Sequence, residues 1–264
     1  MTPARATRSG WRVAGACLHA LLLREAVARM FGRRAALAWL LLEPGLHLGV
    51  LVVVYSALRV RHIAGIETAW WVTLGMLAFF LFQRTAMRSA NAIDANKALF
   101  AYRQVKPVDT VLARCLLEGL TMVLVATLTV TVLMLVDVRL AIAEPAQLLA
   151  AAVSLWALGI GWALCMSVAV TLVPESGLAL SLAGMGMMFA SGVIAPIGAL
   201  PEHWRTLLFL NPVAHDIEAV RASASPLYHP APELSLGYLA VSALALVAAG
   251  LAVQLRFEAR VSTQ

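Results

Sequence analysis

FFLFQRTAMRSANAIDANKALFAYRQVKPVDTVLARCLLEG, Phe79 to Gly119, joins the end of one apolar run to the start of another through a polar, basic segment. Its Arg84, Arg88, Lys97, Arg103, Lys106 and Arg114 outweigh Asp94, Asp109 and Glu118. Short loops rich in Lys and Arg stay on the cytoplasmic side of a membrane. The segment therefore reads as a cytoplasmic handle between two spanning helices, and the rest of the chain is read outward from it.

The composition agrees. Of 264 residues, 61% are hydrophobic and only 13% charged, with a mean hydropathy of +0.85, whereas soluble domains carry about a quarter charged residues. This is the composition of a polytopic membrane protein. The net charge of +6 comes largely from Arg5, Arg8, Arg12, Arg24, Arg29, Arg33 and Arg34 ahead of the first apolar run and from the Arg84 to Arg114 loop. That distribution reports topology and anionic headgroups, and no nucleic-acid partner is expected. Cys17, Cys115 and Cys165 are scattered, with neither a disulfide framework nor a metal-ligand spacing, so no metal is expected. Ala14 to Cys17 resembles a lipoprotein cleavage box, but Trp11 and Arg12 interrupt the apolar region such a signal needs.

Spanning takes about 20 mostly apolar residues at 1.5 Å each, and six runs qualify: Leu37 to Leu58, Ala69 to Phe82, Val111 to Val136, Gln147 to Val173, Gly177 to Ala195 and Leu236 to Leu255. The expected class is all-α, with six transmembrane helices. The second run is short, and its helix is expected to continue past Arg84, with the charged side chains reaching toward the headgroups. Six crossings put both termini on one side, and the basic N-terminal segment and handle place them in the cytoplasm. Arg59 and Arg61 then fall on the outer side, outvoted by the neighbouring loops. Residues 1–36 form a cytoplasmic N-terminal segment, 37–255 the transmembrane domain and 256–264 a cytoplasmic tail. Within the first, Leu18 to Phe31 separates apolar from basic faces and reads as an amphipathic helix in the inner interface. A plain solvated extension of the first span is the alternative.

Between Pro196 and Ser235, Pro196, Gly198 and Pro201 interrupt an apolar stretch next to a small-residue helix, and a helical pattern follows through Asn211-Pro212. Such a segment is expected to dip back into the membrane as short re-entrant helices, which requires protein or a water-filled cavity around the freed backbone.

Catalytic chemistry is poorly supplied. There is no GxxxxGK followed by Ser or Thr, so ATP hydrolysis would need a partner chain. Glu202-His203 and the His215, Asp216, Glu218 group are the nearest approach to an acid/base constellation, and neither carries a positioned nucleophile. Glu43-Pro44 with His47 places ionisable groups inside the first span, which marks a functional site by default; a Pro-kinked helix with Glu43 shallow at the interface is an equal alternative. Glu118, early in the third span, stands the same way. Gly45-x-x-x-Gly49, Gly159-x-Gly161 and Gly184-x-Gly186 mark close helix packing, and Met185, Met187 and Met188 read as filler. Trp39, Trp70, Trp71, Trp156, Trp162 and Trp204 form either an aromatic belt or stacking surfaces for sugar rings.

Ser191 to Arg221, SGVIAPIGALPEHWRTLLFLNPVAHDIEAVR, resembles the signature of ABC-2 type permeases, in which a Ser-Gly pair ending the fifth span leads to a Pro, a Leu-Pro, an Asn-Pro and a final Arg. LLLREAVARMFGRRAALAWLLLEPGLH and AIDANKALFAYRQVKPVDTVLARCLLE resemble the membrane subunit of group 2 capsular polysaccharide exporters. The resemblance runs from about Leu21 to Arg221. It implies a homodimer that pairs with two copies of a separate ATPase, which binds ATP and Mg, while this chain holds no cofactor. It also implies export of a lipid-linked acidic polysaccharide across the bacterial inner membrane, with a periplasmic adaptor and an outer-membrane export protein completing the route.

Carried onto this chain, the resemblance makes Leu18 to Phe31 an interfacial gate helix. Asp94 to Tyr102 becomes the coupling helix, with Asp94, Asn96, Lys97, Phe100 and Tyr102 meeting the ATPase. Pro196 to Arg221 becomes the outer gate, with Pro196, Leu200, Pro201, Asn211, Pro212 and Arg221 as its marks. Arg24, Arg29, Arg33, Arg34, Arg84 and Arg88, with Trp39, Glu43 and His47, form the expected substrate entry, since cations at a cavity mouth concentrate polyanions; each arginine taken singly is equally explained by topology. Export of O antigen, teichoic acid or a small lipophilic molecule is the alternative within the class. A channel or secondary transporter lacks the intramembrane acid relays it would need, and a membrane enzyme lacks a clustered site.

Overall fold

The computed structural model describes residues 10–31, 36–58, 60–102 and 104–262, without the side chains of 10, 11, 30, 31, 36–41, 43, 44, 56 and 262. Helices dominate: α1 (Gly10–Phe31), α2 (Ala36–Ala57), α3 (Thr68–Gln83), α4 (Pro107–Leu135), α5 (Pro145–Leu172), α6 (Ser176–Ala190), α7 (Glu202–Leu208), α8 (Pro212–Ala222) and α9 (Leu236–Ser262). Three of them, α4, α5 and α9, are long and apolar enough to cross a membrane, and α2 and α6 contribute shorter apolar helices. Proline opens α4, α5 and α8, where its missing N–H costs nothing and its fixed φ suits a first turn.

α3 is the axis of the bundle. Trp71, Val72, Phe79 and Phe82 are all essentially inaccessible, and a helix apolar on every side has to be surrounded. It packs against α2, α4, α5 and α8, which is why a run too short to span by count still forms the core. The expected continuation past Arg84 is present as a π-helical turn, Arg84–Arg88. Arg84 does not reach outward from it: at 3% exposure it is enclosed by protein, with α4 and α5 packed on the turn.

α9 lies along α5. A methyl group built on Gly161 would come within 2.6 Å of the Leu246 carbonyl carbon and of Val247 N, and one on Gly250 within 2.6 Å of Leu164 Cβ. Small residues thus let the two backbones touch, and Gln254 donates across the seam to Leu164 O (3.0 Å) and Ser167 Oγ (2.8 Å). Gly159 and Gly184 also sit at close contacts, against Thr85 and Met87. Gly45, Gly49 and Gly186 face open space, so the expected packing at these three has no partner among the described residues.

The all-α expectation misses a small hairpin. His62–Ile63 pairs antiparallel with Ile66–Glu67, in the register His62 to Glu67 and Ile63 to Ile66, through a turn with Ala64 at φ 48° and Gly65 at φ 83°. Glu67 Oε2 accepts from Arg139 N (2.8 Å), tying the hairpin to the end of α4. Trp70 and Trp71 are core residues, 3% and 0% exposed, forming neither belt nor sugar platform; Trp204 alone of the described tryptophans is more than half exposed, at 55%.

Candidate functional site

At one end of the bundle α1 lies against α4. It runs from Gly10, a good two turns earlier than the amphipathic pattern from Leu18 implies. Three of its charged residues, Arg24, Glu25 and Arg29, reach partners in the rest of the chain. Arg29 Nη2 meets Glu118 Oε1 at 2.6 Å, with Glu118 wholly buried, Glu25 is paired with Arg114, and Arg24 Nη1 donates to Asn96 Oδ1 at 2.8 Å. The intramembrane-acid question at Glu118 is answered by Arg29. Two of the expected entry arginines, Arg24 and Arg29, are thus already engaged. Arg88 is half-buried and His47 is exposed on α2, edge-on to Phe80 at 5.6 Å. Arg33 and Arg34, and the side chains of Trp39 and Glu43, lie outside the described residues.

Asn96 belongs to a 3-10 helix, Asp94–Ala101, within one residue of the expected coupling segment. Asn96 is buried and also donates to Ala92 O (2.8 Å); Lys97 pairs with Asp94 at 3.1 Å on the exposed side. The two aromatics separate. Phe100 packs against the cluster of Ile93, Val111, Cys115 and Leu164, and Tyr102 is 67% exposed. Following it, Asp109 accepts from Lys106 N (3.1 Å) to start α4, and Lys106 Nζ reaches Glu258 on α9 at 3.3 Å.

At the other end the signature residues converge. Gly192 holds φ 70°, a region where a side chain is strained, and a Cβ there would collide with Ile197. This sharp turn presents the Gly192 and Val193 carbonyls to Arg221, whose Nη1 and Nη2 donate to them at 2.8 and 2.9 Å. The guanidinium lies 3.4 Å from the Trp71 ring centroid, and Gly75 leaves room for it. Asn211 caps α8, accepting from Val213 N at 3.0 Å and donating to Ser191 Oγ at 2.7 Å. Ser191, Gly192, Asn211 and Arg221, spaced over about thirty residues, thus form one contact network. Sequence pattern marks the residues; the contacts among them, across many intervening positions, leave no periodic trace.

α8 is consequently no loose flap. Val213 to Arg221 are all buried, against α3, α5 and α9. Ile197 is 2% exposed and packs with Phe209, Ala214 and Ala231. Of the expected gate residues, Leu200 and Pro201 are exposed and Pro196, Asn211 and Pro212 half-buried. α7 is different: Trp204 and Leu207 on it, and Leu210 just after it, are each more than half exposed, while Arg205 anchors it to Glu233 at 2.7 Å. In the loop after α8, Tyr228 donates to Glu218 (3.0 Å); burial, and next the Glu218 charge, push its phenol well above the ordinary range.

The comparisons with known proteins fit this geometry. Residues 18–224 match the ABC-2 type transporter family, from the middle of α1 through the buried α8. The chain belongs to the ABC-2 type transporters. Among individual relatives, it is 32% identical to the polysialic acid transport protein KpsM of Escherichia coli, over 93% of this chain and 95% of that protein. It is 29% identical to the capsule polysaccharide export inner-membrane protein CtrC of Neisseria meningitidis serogroup A, over 93% and 92%. To BexB of Haemophilus influenzae, a protein of the same description, it is 25% identical over 96% and 95%. The matched region ends two residues beyond α8, so the family pattern covers both the α1 contacts and the Arg221 network.

Proposed function

We propose that this chain is the membrane subunit of an exporter that moves a lipid-linked acidic capsular polysaccharide out across the bacterial inner membrane, with ATP and Mg bound, and ATP hydrolysed, by two copies of a separate subunit. The observation that carries the reading is the likeness to capsule and polysialic acid transport proteins over nearly the whole of both chains. In this reading α2, α3, α4, α5, α6 and α9 make six crossings, with both termini and the Asp94–Ala101 helix in the cytoplasm. A periplasmic adaptor and an outer-membrane protein continue the route. Two copies meet through α2 and α6, whose Leu46, Val50, Val53, Leu182, Met185 and Phe189 are all exposed beside glycines with nothing near them; small residues favour helix association in lipid.

The contacts of α1 give the coupling a physical route. ATPase movement against the exposed Lys97 and Tyr102 side of the 94–101 helix is passed through Asn96 to Arg24, and α1 is held to α4 by Glu25 and Arg29. A shift of the coupling helix therefore tilts the interfacial helix where a lipid-linked substrate enters. The test is complementation: in cells lacking their capsule-export permease and supplied with this chain's own ATPase, the wild-type chain should restore surface polysaccharide. Polysaccharide retained inside, with the chain inserted and the ATPase co-purifying, would overturn the reading.

A further inference from the structure

Between α3, α4, α5 and α8 lies a cavity of about 270 Å³, walled by Leu74, Leu77, Met122, Val130 and Leu148 among others. One acidic residue, Asp216, is part of this otherwise apolar wall. Asp216 is 0% exposed, and neither of its oxygens has a hydrogen-bond partner among the described residues. Its neighbours on α8 are all occupied elsewhere: His215 bonds Phe209 O (2.7 Å) and Ser235 N (3.0 Å), Glu218 accepts from Tyr228 and from Ala231 N (3.1 Å), and Arg221 is held by Gly192 and Val193. Trp70, also in the wall, gives its indole N–H to Ala141 O at 2.9 Å. In its ionised form Asp216 brings two acceptor oxygens to this wall, and no other lining side chain brings a free donor. A water needs two to four polar partners to be held in such a place, and the lining supplies them from one residue.

We propose that this cavity is a binding site for a lipophilic amine, with the ammonium on Asp216 and the apolar body between α3 and α4. A buried carboxylate is costly unless paired with a cation. An ammonium supplies charge and up to three donors, where an alcohol supplies one donor and no charge. The rim residues Val123 and Ile142 are 66% and 48% exposed, so an amphiphile reaches the cavity sideways, from the bilayer. The volume approaches the lower end of ordinary small-molecule sites, about 300 Å³. The site is independent of the transport reading above.

The test uses the full chain in lipid nanodiscs, dicyclohexylcarbodiimide as a lipophilic carboxyl reagent, and decylamine and decanol as competing ligands. The carboxyl O–H adds across one C=N bond: a C–O bond forms, the proton passes to nitrogen, and an oxygen-to-nitrogen acyl shift leaves a stable N-acylurea, with no group lost and no redox change. Mass spectrometry should find the adduct on Asp216, a several-fold loss of it with decylamine, and little loss with decanol. Ala126→Phe, which fills the cavity from the α4 wall and leaves Asp216 in place, should abolish both the adduct and the effect of the amine. An unlabelled Asp216 in the wild-type chain, equal protection by amine and alcohol, or labelling and protection unchanged in Ala126→Phe, would each overturn the proposal.

Discussion

Gly192 and Glu118 are the two positions where a single side chain carries most. At Gly192 a methyl group meets both a positive φ and the buried Ile197. Left-handed backbone costs a non-glycine residue about 1 to 2 kcal/mol, and overpacking adds about 1 to 3 kcal/mol. Gly192→Ala should therefore lower the melting temperature of the purified chain and its folded yield, measured by scanning fluorimetry and gel filtration; an unchanged midpoint would contradict the strained turn. At Glu118, removing Arg29 leaves a wholly buried carboxylate without its cation. Breaking a buried pair costs about 3 to 5 kcal/mol, and the 29% exposure of Arg29 puts the expected loss below that range. Arg29→Met should destabilise more than the double variant Arg29→Met, Glu118→Gln, because the second change removes the stranded charge. A double-mutant cycle read by thermal melting checks the order. Neither effect is legible from composition: by position alone Glu118 reads equally as a functional acid or as a shallow one, and only the fold brings α1, far away in sequence, against α4.

At the scale of elements, the segment proposed to couple to the ATPase splits into an outward and an inward face. Tyr102→Asp alters an exposed ring and should reduce ATPase co-purification and export with little change in protein level. Phe100→Asp puts a charge into an apolar cluster and should reduce the level of the chain itself, as seen by immunoblot of membranes. Equal behaviour of the two variants would mean the helix does not present the faces described. A polar break between two apolar runs is a local signal and marks the segment, whereas the helix and its bounds follow from the family resemblance. The hairpin at His62 to Glu67 leaves no such signal, since two-residue strands are too short for alternation to register. Trp70 and Trp71 misled for another reason: they stand at the start of an apolar run, where belts occur, and only the packing of α8 over α3 shows them to be interior.

For the whole molecule, the exposed faces of α2 and α6 should meet their equivalents in a second copy. Single cysteines at Gly49 or Leu182, in a chain freed of its own three cysteines, should crosslink between copies on oxidation in membranes. A cysteine at Leu149 on α5, also exposed, should not. Crosslinking at Leu149 in preference would place the contact on another face. Apolar runs gave the count of candidate crossings, but not which faces meet protein and which meet lipid, because in a bilayer both are apolar.

The π-helical turn at Arg84–Arg88 has a mechanical consequence for this chain. A π turn amounts to one residue inserted into an α-helix, and one residue is about 100° of rotation at 3.6 per turn. The axial helix therefore keeps two phases, one fitted to the membrane bundle and one to the coupling segment below it, with Thr85 against Gly159 at the change-over. Such a register defect can migrate by exchanging hydrogen bonds, one residue at a time, like a dislocation gliding through a crystal. In the exporter proposed above, a stroke from the ATPase would rotate the lower end of α3 without disturbing the packing of the upper one.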